Sequence, residues 1–138
     1  MCVVCASQSE VGGLVEHEIA VVVGPEFLAG STRLKAGTAQ KLVLNTMSTI
    51  TMIRLGKTYG NLMVDVVAAN EKLRDRVRRI VAAASGAPTT DVDAAIGDAD
   101  GDARVAIVML LTGVDAQEAR RRLDGSGRSI AEALEANP

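Results

Sequence analysis

Aromatic side chains are almost absent from this 138-residue sequence, which contains one Phe, one Tyr and no Trp. Stacking on nucleobases or sugar rings needs aromatic faces, so Phe27 and Tyr59 leave a site of that kind almost nothing to use. Hydrophobic residues nevertheless make up 48% of the chain. The composition therefore predicts a core of Val, Leu, Ile, Met and Ala.

An excess of positive charge and a long apolar run are also missing. The formal net charge is −2 and the sequence pI is near 5.4, so no overall basic field attracts nucleic acid. No apolar run approaches the ~20 residues that cross a bilayer, and no stretch has the pattern of a signal peptide. The sequence predicts a soluble, cytoplasmic protein that binds neither nucleic acid nor membrane.

Metal ligands are sparse as well. Cys2 and Cys5 have the C-x-x-C spacing of many metal and redox sites. They fall in an apolar strand pattern, where residues three apart point to opposite faces, so we interpret them as inert thiols. Residues 98–102 resemble a calcium loop, but the sixth and twelfth positions hold Ala103 and Met109 instead of Gly and Glu. No bound metal is expected.

The first part of the chain has an α/β pattern. Residues 1–5 and the β-branched run 19–23 are typical of buried strands, and the crossover between them predicts a parallel pair. An apolar helix is predicted from about residue 33 to 55, buried against the sheet or a second subunit, with Gly56 as its stop. Two strands alone are marginal, so we expect the end of a larger sheet and a chain that dimerises or aggregates.

Beyond residue 70 the pattern changes to short amphipathic helices. Each has a residue placed to cap it: Asn70, Thr90, Asp102, Asp115 and Ser129. The prediction is an α/β domain over residues 1–69, followed by a small all-α domain over residues 70–138. The chain as a whole is mostly helical, while residues 57–69 fit either an extended crossing or the start of a helix.

The turn between the second predicted strand and the long helix concentrates polar groups. Glu26 lies in the turn, Ser31 or Thr32 can act as N-cap, and Arg33 and Lys35 fall in the first helical turn. The helix macrodipole disfavours each cation there by about 0.3–1 kcal/mol. Either an internal carboxylate such as Glu26 compensates them, or an anionic ligand does. The set suits a phosphorylated, hydroxyl-rich ligand, with a simple turn-closing ion pair as the alternative.

The same residues carry a family resemblance. Gly24-Pro25-Glu26, followed by GSTRLKAGTAQK at residues 30–41, resembles the signature of bacterial N-acetylmuramic acid 6-phosphate etherases and glucokinase regulatory proteins. The segments YGNLMVDV (59–66) and NEKL (70–73) are similar to the etherase continuation, and AIVMLLTG (106–113) extends the match more weakly. The similarity covers most of the chain from about residue 19 and favours the etherases.

This resemblance implies the carboxy-terminal part of a sugar isomerase (SIS) domain, with a parallel sheet and flanking helices, followed by a helical domain similar to ubiquitin-associated domains. It implies a carbon–oxygen lyase that converts N-acetylmuramic acid 6-phosphate to N-acetylglucosamine 6-phosphate and D-lactate in cell-wall recycling. The reaction is elimination followed by water addition, with no cofactor. Similar enzymes are homodimers.

The family's phosphate loop and catalytic glutamates precede the region in which this chain begins, so no catalytic residue is assigned. Glu26, Ser31, Thr32, Arg33 and Lys35 are the predicted substrate-binding residues. The leading hypothesis is a fragment of an etherase that is inactive alone. The alternatives are a non-catalytic regulatory module that binds a sugar phosphate, and a helical interaction module beginning near residue 70.

Overall fold

The computed structural model describes residues 1–6 and 8–135. The chain divides into two compact units, Met1–Thr51 and Met52–Pro138. The domain boundary expected between residues 69 and 70 stays a prediction, and the last three residues of its second domain lie outside the described range.

The first unit contains a parallel strand pair, as predicted. Strand β1 (Cys2–Val4) pairs with β2 (Glu18–Ala20), with Val3 opposite Ile19. The prediction of a strand over residues 19–23 is wrong in extent. Beyond Ala20 one further backbone bond forms, from Val21 N–H to Val4 O at 2.8 Å, because β1 is only three residues long and offers no longer partner.

The long helix α1 (Ala36–Arg54), most of which lies in the first unit, begins three residues later than predicted. None of its residues is buried, so the expected burial of this helix is wrong within this chain. Leu42 and Leu44 are 58% and 53% exposed, while Val43 and Met47 are half-buried. An apolar helix face normally packs against a core, and Leu42 and Leu44 lack that cover in the described part of this chain.

The second unit opens with a hairpin in the region that the sequence left undecided. Strand β3 (Thr58–Tyr59) pairs with β4 (Leu62–Met63) in antiparallel register. Gly60 turns the chain with a φ of 55°, a conformation that Gly adopts without steric cost. The chain then runs without regular secondary structure to residue 69, with Val64 1% exposed.

Within residues 52–135 of the second unit there are five helices, in agreement with the predicted number: α2 (Glu71–Ser85), α3 (Thr89–Asp98), α4 (Ala103–Thr112), α5 (Ala116–Gly125) and α6 (Ile130–Glu135). The central element is α4, whose residues 103–108 are all buried and which packs against the other four. Among the described residues the buried core is aliphatic, as the composition predicts. No helix in those residues is both long and apolar enough to cross a membrane.

Four of the five predicted helix caps are confirmed, since their side-chain oxygens accept backbone N–H groups of the first turn: Asn70 from Leu73 (2.9 Å), Asp102 from Arg104 (2.9 Å), Asp115 from Glu118 (2.8 Å) and Ser129 from Glu132 (3.4 Å). Thr90 is wrong as a cap. It is the second residue of α3, which begins directly after Pro88, and its hydroxyl donates to Asp91 instead (3.1 Å).

Candidate functional site

The five predicted substrate-binding residues lie in the connection between β2 and the start of α1. Glu26 closes this connection into a loop. Its Oε2 accepts the backbone N–H of Lys35 at 3.0 Å, and its Oε1 accepts that of Ala36 at 3.0 Å. A carboxylate at this position satisfies N–H groups that the helix cannot and interacts favourably with the macrodipole. Glu26 therefore compensates the exposed N–H groups of the helix N-terminus, and among the described residues it forms no ion pair with Arg33 or Lys35.

Lys35 does not form the ion pair with Glu26 that the turn-closing alternative requires. Its Nζ donates to the carbonyl oxygen of Pro25 at 2.7 Å, so both its backbone and its side chain tie the two ends of the loop together. Gly37 completes the closure by donating its N–H to Thr32 O at 2.8 Å. A Cβ at Gly37 would lie 3.3 Å from that oxygen, which explains the Gly inside an otherwise good helix sequence.

Among the described residues, the side chains of Ser31, Thr32 and Arg33 form neither a hydrogen bond nor an ion pair. The prediction of Ser31 or Thr32 as N-cap is wrong, because Glu26 performs that role from nine residues upstream. Two hydroxyls and a guanidinium are thus left with donors to offer a ligand.

A second group of charges, in the second unit, was not identified from the sequence. Asp65 lies between two cations: Oδ2 is 2.8 Å from Lys57 Nζ and Oδ1 is 3.0 Å from Arg104 Nη2. Asp102 Oδ2 in turn is 3.0 Å from Arg128 Nη2, and its Oδ1 is 3.6 Å from Arg104 Nε. The Arg104 side chain is only 10% exposed. We call these five residues the Asp65 network.

The network holds Asp65 in its charged form. The hydrogen bond from Lys57 is the largest cause, and with the positive charges of Arg104 and Arg128 it lowers the pKa of the Asp65 carboxyl below its ordinary value of 3.8. Partial burial acts in the opposite direction and is outweighed. Asp102 is predictable as a cap, but no local signal links Asp65 to an arginine on α4.

A cavity of about 720 Å³ opens beside this network, between residues 64–68 and helices α2 to α4. Its wall combines apolar residues such as Val66 and Ile96 with charged residues of both signs. Arg78 illustrates the arrangement: its Nε is 2.7 Å from Asp93, which with Asp75 raises the pKa of the guanidinium. The charged lining residues pair with opposite charges, except Arg74, whose guanidinium forms no ion pair among the described residues.

Within the described residues, no three or more His, Cys, Asp and Glu side chains are grouped so that they could hold a metal ion. Both cysteines are free and half-buried. Cys5 directs its sulfur to the carbonyl oxygen of Ala36 at 3.4 Å.

Comparison with known proteins finds relatives of one name. No protein-family model matches the chain. N-acetylmuramic acid 6-phosphate etherase from Rubrobacter xylanophilus is 65% identical over 119 residues, which are 86% of this chain and 40% of that protein. The etherase of Streptomyces coelicolor is 59% identical over 132 residues, which are 96% of this chain and 42% of that protein. The etherase of Mycolicibacterium smegmatis is 52% identical over 132 residues, which are 96% of this chain and 44% of that protein.

Over most of its length the chain is similar, at 52–65% identity, to N-acetylmuramic acid 6-phosphate etherases. The resemblance predicted from the turn and its continuation is thereby confirmed, and these relatives are named etherases, not regulatory proteins. The chain spans about 40% of the length of these etherases and corresponds to their carboxy-terminal part.

Proposed function

We propose that this chain is part of an N-acetylmuramic acid 6-phosphate etherase, a lyase that releases D-lactate and leaves N-acetylglucosamine 6-phosphate. The observation that carries the proposal is the 65% identity over 119 residues to a protein of that name. Because the chain spans only about 40% of that relative, we propose that it is inactive alone. The acid and base glutamates would come from the preceding part of the enzyme, in a cytoplasmic homodimer without cofactor.

We further propose that the first unit is the end of a SIS-type parallel sheet and that the helices from residue 70 form a domain similar to ubiquitin-associated domains. The parallel pairing of β1 with β2 and the apolar character of α1 support the first assignment. The aliphatic core around α4 supports the second, since it gives these helices an interior of their own.

Within the enzyme, we propose that the loop before α1 forms one wall of the sugar-phosphate site. Arg33, Thr32 and Ser31 would contact the phosphate, because their side chains have no other partner among the described residues. Glu26 would hold the loop in shape and present its remaining lone pairs to a sugar hydroxyl. Lys35 would add positive charge while bonded to Pro25 O.

A fusion tests the proposal. The amino-terminal part of the Streptomyces coelicolor etherase, up to the region that this chain matches, would be joined to this chain, and D-lactate release from N-acetylmuramic acid 6-phosphate would be followed with D-lactate dehydrogenase. We expect release by the fusion and none by the chain alone. A folded fusion that releases no D-lactate would refute the proposed activity.

The site assignment is tested in the same fusion by Arg33→Ala, with Arg54→Ala as the matched control on an exposed residue of the last turn of α1. Losing a charge-assisted bond to phosphate costs about 1.5–3 kcal/mol, so KM should rise about 10- to 100-fold in the first variant only. Equal KM values in the two variants would remove Arg33 from the site. Saturable binding of the phosphosugar by the chain alone, without turnover, would favour the regulatory alternative.

A further inference from the structure

We infer that the uncovered apolar surface of the first unit is the docking site for the amino-terminal part of an etherase. This surface, which we call the α1 surface, comprises Leu34, Leu42, Leu44 and Ile50 together with the free edges of β1 and β2. The inference rests on the proposed function, since it takes the occupant to be the remaining three fifths of the enzyme.

The exposed side chains of α1 lie on more than one face. Leu42 and Ile50 are eight residues apart and lie about 80° apart around the helix at 3.6 residues per turn, whereas Leu44 lies on nearly the opposite side from Leu42. They are 58%, 46% and 53% exposed, in that order. The half-buried residues Val43 and Met47 lie between these directions. Contiguous apolar exposure of this kind marks an interaction surface, and here it needs cover from two sides.

The strand pair of the first unit also lacks neighbouring strands. The sheet of the first unit has two strands of three residues each, and neither outer edge carries a paired strand in the described part of the chain. Parallel sheets are normally covered on both faces and need more strands to be stable. Free N–H and C=O groups at such an edge are a template for strand addition.

Symmetry favours the amino-terminal part of an etherase over a second copy of this chain. A two-fold axis that joins identical edges pairs them antiparallel, so a copy cannot extend the sheet in its parallel sense. A two-fold contact also buries the same patch on both partners, which would cover one side of α1 and leave the other exposed. Relatives that share this region at 52–65% identity carry a further 56–60% of their length outside it.

The test is co-expression of the full chain with a tagged amino-terminal part of the Streptomyces coelicolor etherase, followed by affinity capture and light scattering. We expect equimolar capture. The double variant Leu42→Glu/Leu44→Glu keeps good helix formers and should lower capture at least tenfold. Val67→Glu is the matched control, because Val67 is an 83% exposed apolar residue of the second unit, and it should leave capture unchanged.

A second measurement does not depend on variants. Amide hydrogen exchange in β1, β2 and α1 should slow at least tenfold on capture, while exchange in the core of α4 should stay the same. Circular dichroism of the double variant must match that of the native chain before its capture is compared.

The outcomes separate this inference from the proposed function. Absence of capture, or self-association of the chain that the double variant abolishes while no amino-terminal part binds, would overturn the docking inference. A captured complex that releases no D-lactate would leave docking in place and count against the etherase activity. D-lactate release by the fusion described above, with no association of the separate chains, would overturn docking alone.

Discussion

Replacing Asp65 with Asn is predicted to destabilise the second unit more than any substitution of an exposed charge. The carboxylate bridges Lys57 and Arg104 at 2.8 and 3.0 Å, and the Arg104 side chain is 10% exposed. Asn keeps the size of the side chain but removes the negative charge. The buried guanidinium would then face Asp102 alone, at 3.6 Å from Nε, which is too long for a hydrogen bond.

The expected loss of stability depends on how much of the Asp65–Arg104 ion pair is exposed to water. Removing one partner of a fully buried ion pair costs about 3–5 kcal/mol, because the other charge stays buried without compensation. Asp65 itself is 28% exposed, so solvent recovers part of that cost. We expect the free energy of unfolding to fall by about 2 kcal/mol. With a urea dependence of about 1–3 kcal/mol per molar, the midpoint should move down by about 1 M.

The pH dependence has a definite sign. The folded state lowers the pKa of Asp65, so the stabilisation by its charge is complete above the ordinary value of 3.8 and is lost as the pH falls through the folded-state pKa. Urea titrations followed by circular dichroism at pH 7, 5, 4 and 3 should show a constant difference between native chain and variant down to about pH 4. Below that pH the two midpoints should converge.

Asp93→Asn is the control, since Asp93 pairs with Arg78 at 2.7 Å but both side chains are about half exposed (48% and 49%). Water screens such a pair, so its loss should move the midpoint much less. If Asp65→Asn shifts the midpoint no more than Asp93→Asn at pH 7, the buried guanidinium does not depend on Asp65 and the reasoning is refuted.

Four further predictions concern single substitutions. Leu123→Ala removes a 1% exposed core side chain and should cost about 2–5 kcal/mol in a urea titration; a loss below 1 kcal/mol would contradict the packing. Gly56→Ala should lower the urea midpoint more than Gly60→Ala. Both glycines have positive φ (67° and 55°), but a Cβ at Gly56 would also meet the backbone between α5 and α6 at 3.0 Å. Equal midpoints for the two variants would refute that contact. Asn70→Ala removes the cap of α2 and should cost about 1 kcal/mol, a fall in Tm of about 4–8 °C by calorimetry. Glu26→Ala should speed hydrogen exchange at least tenfold at the backbone amides of Lys35 and Ala36, which donate to its carboxylate. Unchanged exchange would show that the loop closes without Glu26.

The helices of the second unit were predictable because their start and stop signals are local. Asn70, Asp102 and Asp115 each bond to an N–H two or three residues away, so a short window of sequence contains both partners. Gly86 and Gly113 follow α2 and α4 with φ values of 69° and 73°, as glycines at helix ends do. The hairpin before α2 was missed because strands of two residues are too short to show a period.

The contacts that matter most at the candidate sites join residues that are far apart in sequence. Glu26 reaches Ala36 across ten residues, and Asp65 reaches Arg104 from a different element. The position of Arg33 and Lys35 in the predicted first helical turn indicated that these cations needed a negative partner, but it did not distinguish an internal carboxylate from a ligand. The exposure of α1 was equally unpredictable, because an apolar helix pattern specifies that the helix needs cover and does not specify which chain supplies it.

The loop geometry constrains how a phosphate would bind at the proposed site. At most helix N-termini an anion binds the free N–H groups, but here the Glu26 carboxylate already accepts those of Lys35 and Ala36. A phosphate at the same groups would lie against a negative charge. Arg33 and Lys35 still outnumber Glu26, so the side chains of the loop carry a formal charge of +1. The anion would therefore be held by the Arg33 guanidinium and the Thr32 hydroxyl, and the helix dipole would serve to fix the loop that presents them.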